Sequence, residues 1–270
     1  MQKTNSNSIV TLSSRGLVQV SGERARELLQ GQLTCDLNEI TETHSRLGAH
    51  CNPQGRIISL FRVIYYKNSY YLLMPKTLIP QAINGLKKYA VFFKVTLQDV
   101  SDQFNFMGYH GDLLTQFVNS VPNDINEVAT LNDRLIIKIA SQRYEIIGDL
   151  DSLAKEMAEK AGMISENDWK YLDIQAGIPT IYPETSEKLL PHEINLHQLN
   201  AISFNKGCYT GQEIIARMQY RGKLKTELTS LAVISDTPPQ VGNDIVDFCQ
   251  TGYNSYQVLI ITNKQDALKK

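Results

Sequence analysis

The 270-residue sequence lacks the features that mark several large classes of protein. No apolar run approaches the roughly 18 residues of a membrane-spanning helix, and no apolar stretch follows the first lysine, as a secretory signal requires. We therefore expect a cytoplasmic protein without membrane contact. An excess of one charge is also lacking: the formal net charge is −1, and 42% of the residues are hydrophobic, as in ordinary globular proteins.

Cysteine and histidine are scarce and scattered along the chain. The four cysteines are Cys35, Cys51, Cys208 and Cys249; none belongs to a C-x-x-C pair, and the five histidines form no cluster with zinc spacing. We therefore predict reduced thiols and no metal site. Tryptophan occurs once, at Trp169, which makes it a unique spectroscopic reporter.

The segments that are present alternate between strand-like and helix-like patterns, which predicts an α+β fold of two layers. Strands are predicted at Arg15–Val20, Ile57–Tyr66, Tyr70–Met74, Phe92–Leu97, Phe104–Tyr109, Arg134–Ala140 and Arg143–Gly148, and helices at Glu23–Gln30, Thr77–Tyr89, Gly111–Val121, Asp151–Ala161 and Asn167–Gln175. Ser21, Thr77 and Asp151 are the predicted N-caps. After a boundary near Thr226, short β segments predict a small all-β unit.

The segment K-G-C-Y-T-G-Q-E, Lys206–Glu213, is the predicted functional centre. Thr210 and Glu213 have the spacing of a capping box, which predicts a helix that starts at Thr210. Cys208 then lies just before the cap, where free amides, the helix dipole and Lys206 would favour the thiolate. A buried, inert cysteine that packs the turn is the alternative interpretation.

A basic block surrounds this segment. Phe204–Thr226 contains five basic residues and one acidic residue, a net charge of +4, so the rest of the chain carries −5. A local basic block on a mildly acidic protein suggests an anionic ligand or partner, although a solvated helix face explains it equally well. The basic residues are Lys206, Arg217, Arg221, Lys223 and Lys225.

The longer string F-N-K-G-C-Y-T-G-Q-E-I-I-A-R-M-Q-Y-R-G-K, Phe204–Lys223, closely resembles the signature of the YgfZ family. Val20–Leu37, the Asn/Gly-containing turn of Ala49–Arg56 and the Q-A-G-I-P of Gln175–Pro179 fit the same family, so the resemblance spans Arg15–Thr226. The family comprises folate-binding proteins linked to tRNA modification and to iron–sulfur enzymes. It is related to the aminomethyltransferase, or T-protein, of the glycine cleavage system.

The resemblance implies an aminomethyltransferase-like folate-binding domain over residues 1–226, with a sub-domain at about 46–110, and a short β-barrel-like domain over 227–270. It also implies a central ligand hole and a tetrahydrofolate, or a one-carbon derivative, as the ligand. Trp169 matches a family tryptophan associated with folate binding, and a structural role in its helix is the alternative. Gln175 stands where related aminomethyltransferases carry a pterin-binding glutamate, and Arg15 where the family often has an aromatic residue.

The predicted site therefore combines a reactive thiol with a set of ligand-binding residues. The thiol is Cys208, assisted by Lys206, and the ligand-binding candidates are Arg15, Trp169, Gln175, Tyr209, Gln212, Glu213 and Arg217. One departure concerns catalysis: Ser59 and Leu60 take the places of an aspartate pair, one member of which is catalytic in the aminomethyltransferases. Because no carboxylate is available there, we expect neither that reaction nor a conventional enzyme.

Three hypotheses about function follow. The favoured one is a folate-dependent accessory protein in which Cys208 supports assembly or repair of iron–sulfur clusters in client enzymes, among them radical enzymes that modify tRNA. The second is a one-carbon transferase with an unknown acceptor, in which Cys208 is a nucleophile or a group that handles the electrophile. The third is a protein that binds tRNA directly through Arg217, Arg221, Lys223 and Lys225.

Overall fold

A computed structural model of the chain describes residues 7–222, 225–242 and 244–264. Within these ranges the chain forms fourteen β-strands and five α-helices. The strands are β1 (Ser8–Thr11), β2 (Arg15–Ser21), β3 (Arg46–Cys51), β4 (Ile57–Tyr66), β5 (Ser69–Pro75), β6 (Thr96–Asp99), β7 (Asn105–His110), β8 (Val128–Leu131), β9 (Arg134–Ala140), β10 (Arg143–Gly148), β11 (Gly162–Met163), β12 (Thr226–Ile234), β13 (Ile245–Gly252) and β14 (Ser255–Asn263). The helices are α1 (Ala25–Gln32), α2 (Ile79–Phe93), α3 (Asp151–Ala158), α4 (Glu166–Gln175) and α5 (Gln212–Arg221).

The strands are distributed over three sheets. The first is antiparallel, with the order β3-β4-β5-β2-β6, and the second has the order β11-β1-β7-β10-β9-β8, in which only β1 and β11 are parallel. The third contains the C-terminal strands in the order β12-β14-β13. The predicted α+β class is therefore confirmed. None of the described helices combines the length and apolar character that spanning a bilayer requires.

Alternate residues of the five-stranded sheet enter two different cores. Val18 and Leu72 belong to the core that contains α1 and α2, whereas Leu17 and Leu73 pack in a core with Ile137 of the six-stranded sheet. A third core lies between the other face of the six-stranded sheet and α3. The layers therefore run helices, sheet, sheet, helix. Because both faces of each sheet are covered, the central strands are apolar along most of their length.

Two-residue turns set the register of the hairpin of β4 with β5, which was predicted, and of the hairpin of β8 with β9, which was not. Lys67 and Asn68 between β4 and β5 have φ values of 45° and 58°, and Asn132 and Asp133 between β8 and β9 have 49° and 61°. Positive φ at both central residues defines the turn whose twist matches that of paired strands. The hairpin of β4 with β5 and the hairpin of β9 with β10 are both confirmed as predicted.

The three N-caps predicted in the first two-thirds of the chain are wrong. Ser21 is the last residue of β2 and pairs with Thr96, so α1 starts only at Ala25. Thr77 lies in a 3-10 turn before α2, and Asp151 is already the first residue of α3. No side-chain capping hydrogen bond forms at the start of α1, α2 or α3. Sheet pairing and core packing decide these helix starts.

Two further segments differ from the prediction. The helix α2 extends through the first two residues of the predicted strand Phe92–Leu97 and ends where Lys94 adopts a φ of 52°. The predicted helix Gly111–Val121 is reduced to one 3-10 turn, Leu114–Gln116. The side-chain oxygen of Asn7 accepts from the backbone amides of residues 112 and 113, which removes those donors from a helical pattern.

The C-terminal strands form an open sheet in the described residues. Strand β14 lies between β12 and β13, each of which pairs on one side only. The expectation of a β-barrel-like unit is therefore wrong for this part of the chain, because three strands leave two free edges and cannot close on themselves. The division into domains at residue 226 stays a prediction, although β12 does begin at Thr226.

Gly108 determines how closely Trp169 approaches the six-stranded sheet. A Cβ atom at position 108 would lie 2.9 Å from the indole ring and 2.8 Å from Cγ1 of Val10. We expect Gly108→Ala to lower the free energy of unfolding by about 1–3 kcal/mol, because the crowded core must shift. Gly31→Ala is the control: its Cβ meets open space in α1, and we expect it to add about 0.5–1 kcal/mol. Urea denaturation measures both, and equal effects would contradict the assignment.

Candidate functional site

A cavity of about 850 Å³, here called the wide cavity, opens beside α4. One face of the helix lines it through Glu166, Trp169, Lys170 and Asp173, which follow the i, i+3, i+4, i+7 spacing of a helical stripe. The remaining lining comes from the turn between β1 and β2, the 3-10 turn before α2, the loop after α4, and Asp247 of β13. The wide cavity therefore draws on α4, the five-stranded sheet and the C-terminal sheet.

The helix α4 owes its position to a capping box that the sequence analysis did not identify. The Ser165 hydroxyl accepts from the backbone amide of Asp168, and the Asp168 carboxylate accepts from the backbone amide of Ser165. This reciprocal pair fixes the first turn of the helix. Because the helix begins at Glu166, the four cavity-lining side chains point to the same side of it.

A second cavity of about 60 Å³, here called the narrow cavity, adjoins the wide one. The two share Arg15, Pro75, Asp173 and Thr180. The narrow cavity is lined by residues of both large sheets, so it lies where the two sheets face each other. Ligand space therefore runs from the surface of α4 toward the interior.

Four charged side chains meet at the junction of the two cavities. Nη2 of Arg15 donates to Oε1 of Glu145 at 2.8 Å, and Nη2 of Arg143 donates to Oδ1 of Asp173 at 2.7 Å. Arg15 also lies 3.7 Å from Oδ2 of Asp173. Burial lowers the pKa of Arg15, but Glu145 and Asp173 outweigh it, so the pKa is raised above its ordinary value. The charges are thus fixed in place by mutual pairing.

The C-terminal sheet adds a second polar group to the wide cavity. The buried carboxylate of Asp247 accepts from the Tyr182 hydroxyl at 3.0 Å and pairs with Nζ of Lys170 at 3.1 Å. Burial raises the pKa of Asp247 above its ordinary value, although Lys170 opposes the shift. Burial and the same carboxylate also raise the pKa of Tyr182. The wide cavity therefore has acceptors and donors on two sides.

Trp169 is part of the wall of the wide cavity and is almost fully buried. Its side chain belongs to the core between the two large sheets and is 2% exposed. The guanidinium carbon of Arg143 lies 4.2 Å from the centre of the indole ring. The Nε1 atom of Trp169 has no hydrogen-bond partner in the described part of the chain. The ring is therefore well placed to report on changes in the cavity by fluorescence.

Lys206 and Tyr209 fasten the segment around Cys208 to the core. Nζ of Lys206 donates to the carbonyl oxygens of Leu33 and Cys35, both at 2.8 Å, immediately after the end of α1. Burial lowers the pKa of Lys206 to about 8. Tyr209 is buried in the core that contains α1 and α2. Between these two anchors, Cys208 is held at the surface.

Exposure distinguishes Cys208 from the other three cysteines. Cys35, Cys51 and Cys249 are buried, and burial raises the pKa of each thiol, to about 12 for Cys35 and about 11 for Cys249. Buried thiols of this kind are inert. The interpretation of a buried cysteine that packs the turn therefore fits these three positions and does not fit Cys208, which is exposed and whose reactivity stays a prediction.

The helix after the motif starts at Gln212, and Thr210 does not cap it. The N-cap is Gly211, with a φ of 83° and no side-chain capping bond. The Thr210 hydroxyl donates to Oε1 of Gln32 at 3.0 Å, and its backbone amide donates to the carbonyl of Gly31 at 3.2 Å. The capping-box prediction is wrong here because Thr210 instead holds the motif against the end of α1.

The glycines of the motif and of the 52–55 turn pack directly against each other. A Cβ atom on Gly211 would lie 2.6 Å from the carbonyl oxygen of Asn52 and 3.0 Å from Cα of Gly55. Gly55 has a φ of 74°, and a Cβ atom there would meet Ile214 at 3.1 Å. Two segments that are distant in sequence therefore form one tightly packed unit behind Cys208.

The structure divides the predicted site residues into two groups. Arg15 and Trp169 line the wide cavity, whereas Gln175 is exposed at the last position of α4 and lines neither cavity. The residues of the motif and of α5 also line neither cavity; they are Lys206, Cys208, Tyr209, Gln212, Glu213 and Arg217. Lys223 lies outside the described residues. The functional roles assigned to both groups stay predictions.

Among the charged residues that line the cavities or bind a lining residue, sequence reasoning missed Arg143, Glu145, Asp173 and Asp247. Asp173 lies one helical turn after Trp169, so the two share a face of α4. Arg143 and Glu145 are two apart in the otherwise apolar strand β10, which places both on the same face of the sheet. Asp247 likewise interrupts an apolar strand. A charged residue inside an otherwise apolar, buried segment was the sequence signal that could have identified these positions.

Comparison with known proteins identifies the family, although no family model matches the chain. The chain is 36% identical over 247 residues to the tRNA-modifying protein YgfZ of Colwellia psychrerythraea, covering 88% of this chain and 75% of that protein. It is 31% identical over 266 residues to the YgfZ protein of Hamiltonella defensa, covering 95% and 79%. The crystal structure of the glycine cleavage system aminomethyltransferase T from Bartonella henselae matches with a TM-score of 0.74 at 13% identity, covering 96% and 79%, so the fold is shared. The chain therefore belongs to the YgfZ family of tRNA-modifying proteins.

Proposed function

We propose that this protein is a folate-binding accessory protein that holds a tetrahydrofolate, or a one-carbon derivative, in the wide cavity. We further propose that it presents Cys208 to iron–sulfur client enzymes and thereby supports tRNA modification. The observation that carries the proposal is a ligand-sized cavity combined with a separate, exposed cysteine between two buried anchors. The clients proposed are radical enzymes that modify tRNA.

The wide cavity suits a folate in size and in polar groups. Its volume of about 850 Å³ falls within the range of about 300–1,000 Å³ that is usual for ligand pockets. A pterin presents N–H donors, for which the carboxylates of Asp173 and Asp247 are acceptors, and the glutamate tail requires cations such as Lys76 and Lys170. Because Trp169 is nearly buried, we assign it to the cavity wall and not to an open stacking platform.

The position of Cys208 favours a macromolecular partner over chemistry on the folate. Cys208 lines neither cavity, so a folate in the wide cavity is not presented to its thiol. Ser59 and Leu60, which replace the acidic pair of the aminomethyltransferases, are buried at 0% and 4% exposure in β4. Both observations count against the one-carbon transferase and support a role for the thiol at the protein surface.

Titration with tetrahydrofolate tests the ligand. We expect saturable quenching of Trp169 fluorescence, because the indole is part of the cavity wall. Ser14 is an exposed residue of the wide cavity, and Ser14→Phe should weaken binding at least tenfold by filling the cavity. Ser120→Phe, at an exposed serine outside both cavities, is the matched control and should bind like the wild type. Absence of saturable quenching in the wild type would refute folate binding.

Thiol titration of the native protein tests the presentation of Cys208. We expect one thiol to react quickly with an aromatic disulfide reagent, and four to react after unfolding, because three cysteines are buried. Cys208→Ser should remove the fast phase. A fast phase that survives this substitution would show that another cysteine is accessible.

Replacement of Cys208 in cells tests the proposed support of client enzymes. With the chromosomal copy replaced by Cys208→Ala, we expect tRNA thiolation and iron–sulfur enzyme activity to fall to the level of the deletion strain. Cys249→Ala is the control, since that cysteine is buried in the C-terminal sheet. If tRNA thiolation and cluster-enzyme activity persist in the Cys208→Ala strain at wild-type protein levels, the thiol has no part in the function.

A further inference from the structure

Two large apolar side chains lie next to each other on the surface at the end of α2. Val91 is 71% exposed and Phe92 is 77% exposed, and neither belongs to any of the three cores. The other exposed large hydrophobic residues in the described part of the chain are isolated from one another in sequence: Ile125, Met163, Tyr220, Ile234 and Tyr253. Single exposed apolar residues are normal, whereas a contiguous group with a polar rim marks an interaction surface.

The packing of α2 keeps this pair on the outside. Ala82, Leu86 and Ala90 recur at every fourth position and are buried. Val91 and Phe92 lie on the opposite side of the helix. A rotation of α2 that buried the pair would therefore expose the residues that now fill the core. The apolar pair is available to a partner for as long as the fold is intact.

Lysines surround the pair and have no acidic partner. Lys87 and Lys88 precede it by one helical turn, Lys94 follows it, and all three are exposed. None of the three forms an ion pair among residues 7–222, 225–242 and 244–264, and α2 contains no acidic residue. The helix dipole does not account for Lys87 and Lys88, because its effect is confined to the last turn. We call the group of Lys87, Lys88, Val91, Phe92 and Lys94 the α2 surface.

The aromatic residues favour a protein over a nucleic acid as the occupant of the α2 surface. A single-stranded nucleic acid stacks successive bases on open aromatic faces. Nζ of Lys88 lies 4.9 Å from the ring centre of Tyr89. The guanidinium carbon of Arg24 lies 4.7 Å from the ring centre of Phe93, and both rings are half-buried. Phe92 is thus left as a single open ring, and an apolar centre with a charged rim is the usual anatomy of a protein–protein interface.

The α2 surface lies at the opposite end of α1 from the motif that contains Cys208. Arg24 comes immediately before α1 and contacts Phe93, so the start of α1 lies beside the end of α2. The other end of α1 binds the motif, through the hydrogen bond of Thr210 with Gln32. With eight residues, α1 is about 12 Å long. Since an ordinary interface covers about 800 Å² of each protein, one partner can contact both features.

We propose that the α2 surface docks an acidic segment of the client enzyme, with an apolar side chain of the client against Val91 and Phe92. The identity of the partner rests on the proposed function, whereas the chemistry of the segment follows from the α2 surface alone. Three lysines without anions of their own attract a negatively charged partner and orient it. The apolar pair supplies the desolvated centre in which most of the binding energy of an interface resides.

Photo-crosslinking in cells tests the occupant. Phe92 is replaced with p-benzoylphenylalanine, and Met163, which is 65% exposed on β11, receives the same replacement as the matched control. We expect an adduct with a protein at position 92 only, and we expect the crosslinked segment to contain more acidic than basic residues. Combined Lys87→Glu and Lys88→Glu substitutions should abolish the adduct, because they reverse the charge of the rim.

The same experiment has outcomes that overturn the docking surface. An adduct that ribonuclease removes would show an RNA, and an adduct with a lipid would show a membrane. An adduct within the chain or with a second copy would show that the protein covers the α2 surface itself. A protein adduct that survives the charge reversal, or no adduct specific to position 92, also overturns the proposal.

Binding of a purified client separates the docking surface from the proposed function. The probe is a radical enzyme that thiolates tRNA, loaded with its iron–sulfur cluster. Phe92→Ser should weaken its binding at least tenfold, and the lysine reversals should slow association and reduce its dependence on salt. Met163→Ser and Lys155→Glu, at exposed positions outside the α2 surface, should bind like the wild type. All variants should melt like the wild type, since the replaced side chains are exposed.

The two proposals fail in different ways. If the enzyme binds the wild type and Phe92→Ser equally well, the docking surface is overturned and the proposed function is unaffected. If the enzyme does not bind the wild type, while position 92 crosslinks to an acidic segment of another protein, the client is wrong and the docking surface is supported.

Discussion

The two large sheets can pack face to face only because the charged residues between them neutralise one another. Arg15 comes from the five-stranded sheet, Arg143 and Glu145 from the six-stranded sheet, and Asp173 from α4. Removing these charges from water is costly, and their pairing offsets that cost. If Asp173 were lost, Arg143 would be left buried and unpaired, at about 3–5 kcal/mol. This network therefore fixes both sheets and α4 at a single point.

The cavities follow from the same arrangement. Both cavities are lined by Arg15 and Asp173, so they meet at the charged network. The helix α4 also contacts the C-terminal sheet, since the side chain of Asn167 exchanges two hydrogen bonds with the backbone of Gln250. Its cavity-lining face therefore packs through Trp169 into the core between the two large sheets and pairs through Lys170 with Asp247 of the C-terminal sheet. The helix α4 therefore links the wide cavity to the position of the C-terminal sheet.

The exposed position of Cys208 depends on a different set of contacts. Lys206 and Thr210 hold the motif against the end of α1, and Gly211 packs on the turn at Gly55. Neither cavity contributes to these contacts, so the thiol and the ligand space are separate features of one fold. Such a division is consistent with the proposed function, which assigns the wide cavity to a small molecule and the surface at Cys208 to a macromolecule.

The sequence by itself determined the family, the α+β class, the hairpins and the helix that contains Trp169, because these depend on local periodicity, turn residues and a long motif. Only the tertiary structure decided the use of Thr210, the pairing of Asp173 and the exposure of Cys208. The amine of Lys206 binds a carbonyl 173 residues away, and Arg15 binds a carboxylate 130 residues away. The spacing of neighbouring residues cannot predict such partners, since they meet only when the sheets and helices pack. For that reason the predicted cap at Thr210 was wrong and the cavity charges were missed.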